Sequence, residues 1–70
     1  MRYFTFRFLH QRRQTAREFT LAGTHSADCL TAAWGLLADA ERPTGYTRED
    51  WRLLSTVSRA VTDLADALDR

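Results

Sequence analysis

From Arg2 to Leu9 the chain alternates strictly, with Phe4, Phe6 and Phe8 falling on one side and Tyr3, Thr5 and Arg7 on the other. A period of two, rich in aromatic residues, is the signature of a half-buried strand. Residues 17–22 repeat the pattern, Phe19 and Leu21 being apolar and Glu18 and Thr20 polar. Paired as an antiparallel hairpin over residues 2–22, the two segments gather these apolar side chains on one face. One register then sets Arg7 opposite Glu18 and Thr5 opposite Thr20, both favourable cross-strand pairs. The connection His10-Gln11-Arg12-Arg13-Gln14-Thr15-Ala16 has no glycine, asparagine or proline. A two-residue primed turn is therefore not expected, and a longer, mobile or twisted loop is.

Past Gly23 the period changes. Leu30, Ala33, Trp34 and Leu37 recur at helical spacing, with Thr31, Gly35 and Asp39 on the opposite side. Thr24-His25-Ser26 offers N-cap candidates, and Asp28 would sit in the first turn, where the helix dipole favours an acid. The pattern predicts a helix over about 26–40. Glu41-Arg42-Pro43-Thr44-Gly45-Tyr46 reads as a turn by composition. Thr47 then caps a second predicted helix over about 47–69, along which Leu54, Val57, Val61, Leu64 and Leu68 recur at alternating spacings of three and four. Its apolar stripe, widened by Leu53, Ala60 and Ala67, is broader than a two-stranded coiled-coil seam. The expected fold is thus α+β: one domain spanning 1–70, an N-terminal antiparallel hairpin packed on two antiparallel amphipathic helices, in the order β-β-α-α. Ribbon-helix-helix repressors also end in two helices, but they carry one N-terminal strand per chain, whereas two fit here.

Composition limits what such a domain can do. Seventy residues lie near the lower limit for a self-sufficient core, and a lone cysteine, Cys29, cannot form an internal disulfide. Burial against a second chain, whether a homodimer or a stable partner, is the remaining route to extra stability. One thiol fits a reducing compartment. The N-terminal segment has no continuous apolar stretch of the kind a signal peptide needs, and the run Leu30–Ala38 is about half a membrane span. A cytoplasmic protein without membrane contact is expected. The net charge of +1 sets up no global field for nucleic acid. All ten basic residues are arginine, which reflects either a GC-rich coding genome or the interface preference of the guanidinium.

Candidate chemistry is sparse. Cys29 near a helix N-terminus, four residues after His25, is the best nucleophile–base pair available, but no third orienting residue or oxyanion motif accompanies it, and Cys29 also reads as a small core residue. No metal site or cofactor is expected, since the two histidines lie in different segments without a carboxylate cluster. Catalysis is therefore not expected. Binding is. Arg7, Arg12, Arg13 and Arg17 concentrate positive charge in and around the hairpin loop, where it could contact a protein, follow a phosphate backbone or simply keep the loop solvated. Tyr46, Arg48 and Arg52 cluster with Trp51 around the start of the second predicted helix, and these are the residue types that dominate interfaces. Asp63, Asp66 and Asp69 oppose the loop in sign.

The segment Phe19-Thr20-Leu21-Ala22 followed by Ser26-Ala27-Asp28-Cys29-Leu30-Thr31-Ala32-Ala33 resembles a strand-into-helix unit of small phage and mobile-element proteins, some anti-CRISPR inhibitors among them. The resemblance covers about half the chain, is architectural, and assigns no role to any residue. It implies an inhibitor that occupies a surface of a larger nucleic-acid-processing complex, such as a CRISPR effector. Inhibitors that imitate DNA are mostly acidic and this chain is not, so a block by protein–protein contact is the expected form. A nucleic-acid-binding accessory protein using the arginine loop is the alternative.

Overall fold

The computed structural model describes residues 1–60. Its centre is β1 (Arg2–His10), flanked on one side by β2 (Thr15–Gly23) and on the other by β3 (Trp51–Ala60), all antiparallel in the order β2-β1-β3. One helix, α1 (Ser26–Glu41), follows β2 and packs mainly on it and on β1. Two single-turn 3-10 segments, Arg42–Thr44 and Arg48–Asp50, carry the chain from α1 to β3.

The hairpin register is the one the alternation predicts, with Phe6 opposite Phe19, Arg7 opposite Glu18 and Thr5 opposite Thr20. The Thr5 and Thr20 hydroxyls are hydrogen-bonded at 2.9 Å. Between the strands the connection is shorter and better anchored than expected. Gln14 takes the left-handed position (φ 55°) that glycine usually fills, and its N–H donates to the His10 carbonyl at 2.9 Å. Helix α1 matches its predicted span closely, burying Cys29, Ala33 and Leu37 and half-burying Leu30 and Trp34.

The predicted second helix is the correction. Among the described residues the order is β-β-α-β, because Trp51–Ala60, part of the helix predicted over 47–69, pairs with β1 as a third strand. Two physical reasons account for it. The hairpin leaves one edge of a phenylalanine-rich central strand unpaired, and β3 supplies the missing ladder. Between the pairs Phe8–Leu53 and Arg7–Ser55 the register shifts, leaving Leu54 as an extra residue in a β-bulge. Before the bulge Trp51 and Leu53 face the core; after it Ser55, Val57 and Arg59 face away. That phase change breaks the alternation and mimics helical spacing. The later positions of the predicted stripe, Val61, Leu64 and Leu68, lie outside the described residues, as do Asp63, Asp66 and Asp69.

The core lies between α1 and one face of the sheet: Phe4, Phe6 and Phe8 from β1, Cys29, Ala33 and Leu37 from α1, and Trp51 from β3. Phe8 packs on Trp34 with ring centroids 4.4 Å apart and on Phe19 at 6.2 Å. Gly23, at the end of β2, admits α1 to this core. A Cβ built there would stand 2.5 Å from the Cys29 Sγ, closer than packed atoms tolerate. Gly23→Ala should therefore destabilise the protein by about 1–3 kcal/mol in urea melts. Most of that loss should be recovered in Gly23→Ala/Cys29→Ala, and an additive double variant would show that the contact is not the cause.

Candidate functional site

Side chains of β1 and β3 that point away from α1 form an open sheet face. Tyr3, Thr5, Arg7 and Leu9 line its centre; Arg59, Val57, Ser55 and Arg52 are their respective partners on β3. Glu18 and Thr20 continue the face onto β2. Thr5, Arg7, Glu18, Ser55, Val57 and Arg59 surround a shallow depression. Arg7, Arg52 and Arg59 are exposed, and among the described residues no carboxylate lies within ion-pair distance of any of them. Val57 is 45% exposed between Ser55 and Arg59 on this face, diagonal to Arg7. Among the described residues, the face thus presents Arg7 and Arg59 beside exposed Val57, Arg52 at its far end beside Leu9, and a single acid, Glu18.

The hairpin-loop arginines are placed differently. Arg17 Nε donates to Glu41 Oε1 at 2.6 Å, and Arg13 reaches Glu41 Oε2 at 3.9 Å while lying 6.0 Å above the Trp51 ring. Arg12 Nε stands 3.7 Å from Asp50 Oδ1. Buried His10 tethers the loop from beneath: its Nδ1 accepts the backbone N–H groups of Arg12 (3.3 Å) and Arg13 (3.1 Å). Nε2 therefore carries the proton of the neutral ring, and it points toward Asp50 at 3.9 Å. The loop is pinned by two carboxylates and a histidine, and its charge is partly neutralised within the fold.

Glu41 is the buried member of this cluster, at 2% exposure. The Arg17 hydrogen bond holds its carboxyl below the usual carboxylate value; burial opposes this, while the Thr44 hydroxyl, donating to Oε2 at 3.0 Å, and the Arg13 charge assist.

Of the other predicted binding residues, Tyr46 is half-buried against the core. Arg48 lies with Cζ 3.4 Å from the Trp34 ring centre and donates to the Trp51 carbonyl at 3.4 Å, an internal cation–π clamp on the turn that precedes β3. Arg52 faces out beside Leu9. The structure therefore sets Arg7, Arg52 and Arg59 along one sheet face, gathers Arg12, Arg13 and Arg17 around Glu41 and Asp50, and commits Arg48 to packing. Arg59, Val57, Glu41 and His10 were missed from sequence. Alternation over Ser55, Val57 and Arg59 was the available signal for the first two; the burial of Glu41 and His10 depends on contacts with no local signature. Cys29 is 7% exposed and belongs to the core.

Among the described residues no cluster of histidine, cysteine, aspartate and glutamate could hold a metal ion, and no helix is long and apolar enough to cross a membrane. Compared with protein-family models, curated proteins and solved structures, the chain shows no match.

Proposed function

We propose that this protein is a non-enzymatic binding module that engages a protein partner in the cytoplasm through the open sheet face. The observation that supports it is the grouping of Arg7 and Arg59 around exposed Val57, with Arg52 farther along the same face, on the side of the sheet opposite α1. Arginine and aromatic residues with an apolar centre are the composition of interface hot regions. Partial neutralisation of Arg12, Arg13 and Arg17 by Glu41 and Asp50 argues against the loop as a phosphate tracker. The strand-into-helix resemblance implies the form this binding takes: obstruction of a larger nucleic-acid-processing complex of the kind anti-CRISPR inhibitors block.

The test compares two charge variants in co-purification from the source cells at moderate salt. Arg7→Glu/Arg59→Glu should lose the partner, and Arg12→Ala/Arg13→Ala should keep it. Retention by the first pair and loss by the second would return the site to the hairpin loop. DNA or RNA binding whose affinity falls steeply with salt would favour the nucleic-acid alternative.

A further inference from the structure

Besides its face, the sheet has an unusual edge. The order β2-β1-β3 leaves the outer side of β3 without a neighbouring strand among the described residues. β3 is ten residues long, contains no proline or glycine, and carries no charge from Leu53 to Ser58. Natural edge strands are normally blunted by charge, proline or shortness, because an open ladder of N–H and C=O groups recruits other strands. Among the described residues the blunting devices are the bulge at Leu54 and the charges of Arg52 and Arg59 near the two ends, and from Ser55 to Ala60 the register is unbroken.

The bulge has a second effect. Arg52 and Arg59 are seven positions apart, an odd spacing that would put them on opposite faces of a regular strand. The extra residue at Leu54 brings both onto the open face, beside Leu9 and Tyr3 respectively. Two guanidinium groups, neither ion-paired among the described residues, therefore bracket an uncharged, exposed strand segment.

We infer that β3 accepts an extended acidic segment of the partner as a fourth strand. Its backbone completes the edge ladder, and two carboxylates on one of its faces meet Arg52 and Arg59. The inference rests on the binding-module reading above and names the chemistry of that partner. A second copy of this chain is a poor occupant. In fully overlapped antiparallel pairing of β3 with itself, position 52 of each copy faces position 59 of the other, setting arginine against arginine twice. An acidic strand turns the same geometry into attraction, and strand addition to an exposed edge is an established mode of peptide recognition. In a regular incoming strand, carboxylates six residues apart share a face and span roughly 20 Å.

The probe is the fluorescein-labelled heptapeptide Glu-Thr-Val-Thr-Val-Thr-Glu, titrated with the full-length protein and followed by fluorescence anisotropy. It should bind. Replacing both terminal glutamates by lysine, or using the Arg52→Glu/Arg59→Glu protein, should weaken binding about tenfold or more. N-methylation of alternate peptide amides on the ladder side, which leaves both protein and charge untouched, should weaken it as much. Equal binding of the N-methylated peptide would overturn strand addition. So would indifference to both charge changes, or a protein that sediments as a dimer dissociated by the peptide. If the peptide fails while Arg7→Glu/Arg59→Glu still loses the cellular partner, this inference falls and the open-face reading survives. If that variant also keeps the partner, both fall.

Discussion

Phe8→Ala should remove a large share of the protein's stability. Phe8 is fully buried on the central strand, and its ring joins three elements: Trp34 of α1 at 4.4 Å, Phe19 of β2 at 6.2 Å, and β1 itself. Arg48 lies against Trp34 in turn, so the stack extends into the turn before β3. Truncating a buried phenylalanine to alanine costs about 3–5 kcal/mol. At roughly 0.05–0.15 kcal/mol per residue, a chain of this length has about 4–10 kcal/mol of stability in all. The loss is therefore a large fraction of the whole. Thr5→Ala, on the same strand but on the open face, loses one hydroxyl pair with Thr20 and should shift stability by no more than about 1 kcal/mol. Urea melts of the two variants measure the contrast. Similar losses for both would mean that the phenylalanine side of β1 is not the structural centre.

That centre was legible in the sequence. Phe4, Phe6 and Phe8 at period two, answered by Phe19 and Leu21, define one register without reference to the rest of the chain, and the spacing of Leu30, Ala33, Trp34 and Leu37 defines one helix face. The signals are local, and local signals survive in sequence. β3 was not legible, because what makes it a strand is the open edge of β1, some fifty positions away. Its own pattern was ambiguous. Leu53 and Leu54 are adjacent apolar residues that suit a broad helical stripe, and the strand accommodates them only by a bulge. The site followed the same division. Arg7 lies on the outward side its strand's alternation predicts, but apart from the loop arginines it is grouped with in sequence. Arg52 was noted for its residue type, on the wrong element, and Arg59 was missed because its outward direction depends on the bulge. Arg12, Arg13 and Arg17 were rightly grouped, but the carboxylates that occupy them come from the end of α1 and the turn before β3. Glu41 read as a turn residue, and only the fold puts it beneath Arg17, twenty-four positions away.

Arg17→Ala should cost about 2–3 kcal/mol near neutral pH. Removing one partner of a buried ion pair leaves the other charge desolvated, a loss of about 3–5 kcal/mol when both groups are buried. Here Arg17 is half exposed and Glu41 is not, and Thr44 and Arg13 remain to share the carboxylate, so the figure is scaled down. The dependence on pH identifies the cause. In the wild type the Arg17 hydrogen bond keeps the Glu41 carboxyl below its ordinary value of 4.5 despite burial. The folded form then binds fewer protons than the unfolded one between the two values. The stability this contributes is complete above pH 4.5 and is lost as pH falls from there through the lowered folded value. Arg17→Ala removes the dominant stabilising contact and leaves the burial, so the gap between variant and wild type should be widest near neutrality and close as Glu41 is protonated. Glu41→Gln should remove this acid-dependent component altogether while retaining a hydrogen-bonding side chain in the same space. Urea melts at pH 7 and pH 3.5 on the three proteins measure it. A gap between Arg17→Ala and wild type that is the same at both pH values would mean that the arginine acts by packing its alkyl stem and not by holding a buried carboxylate.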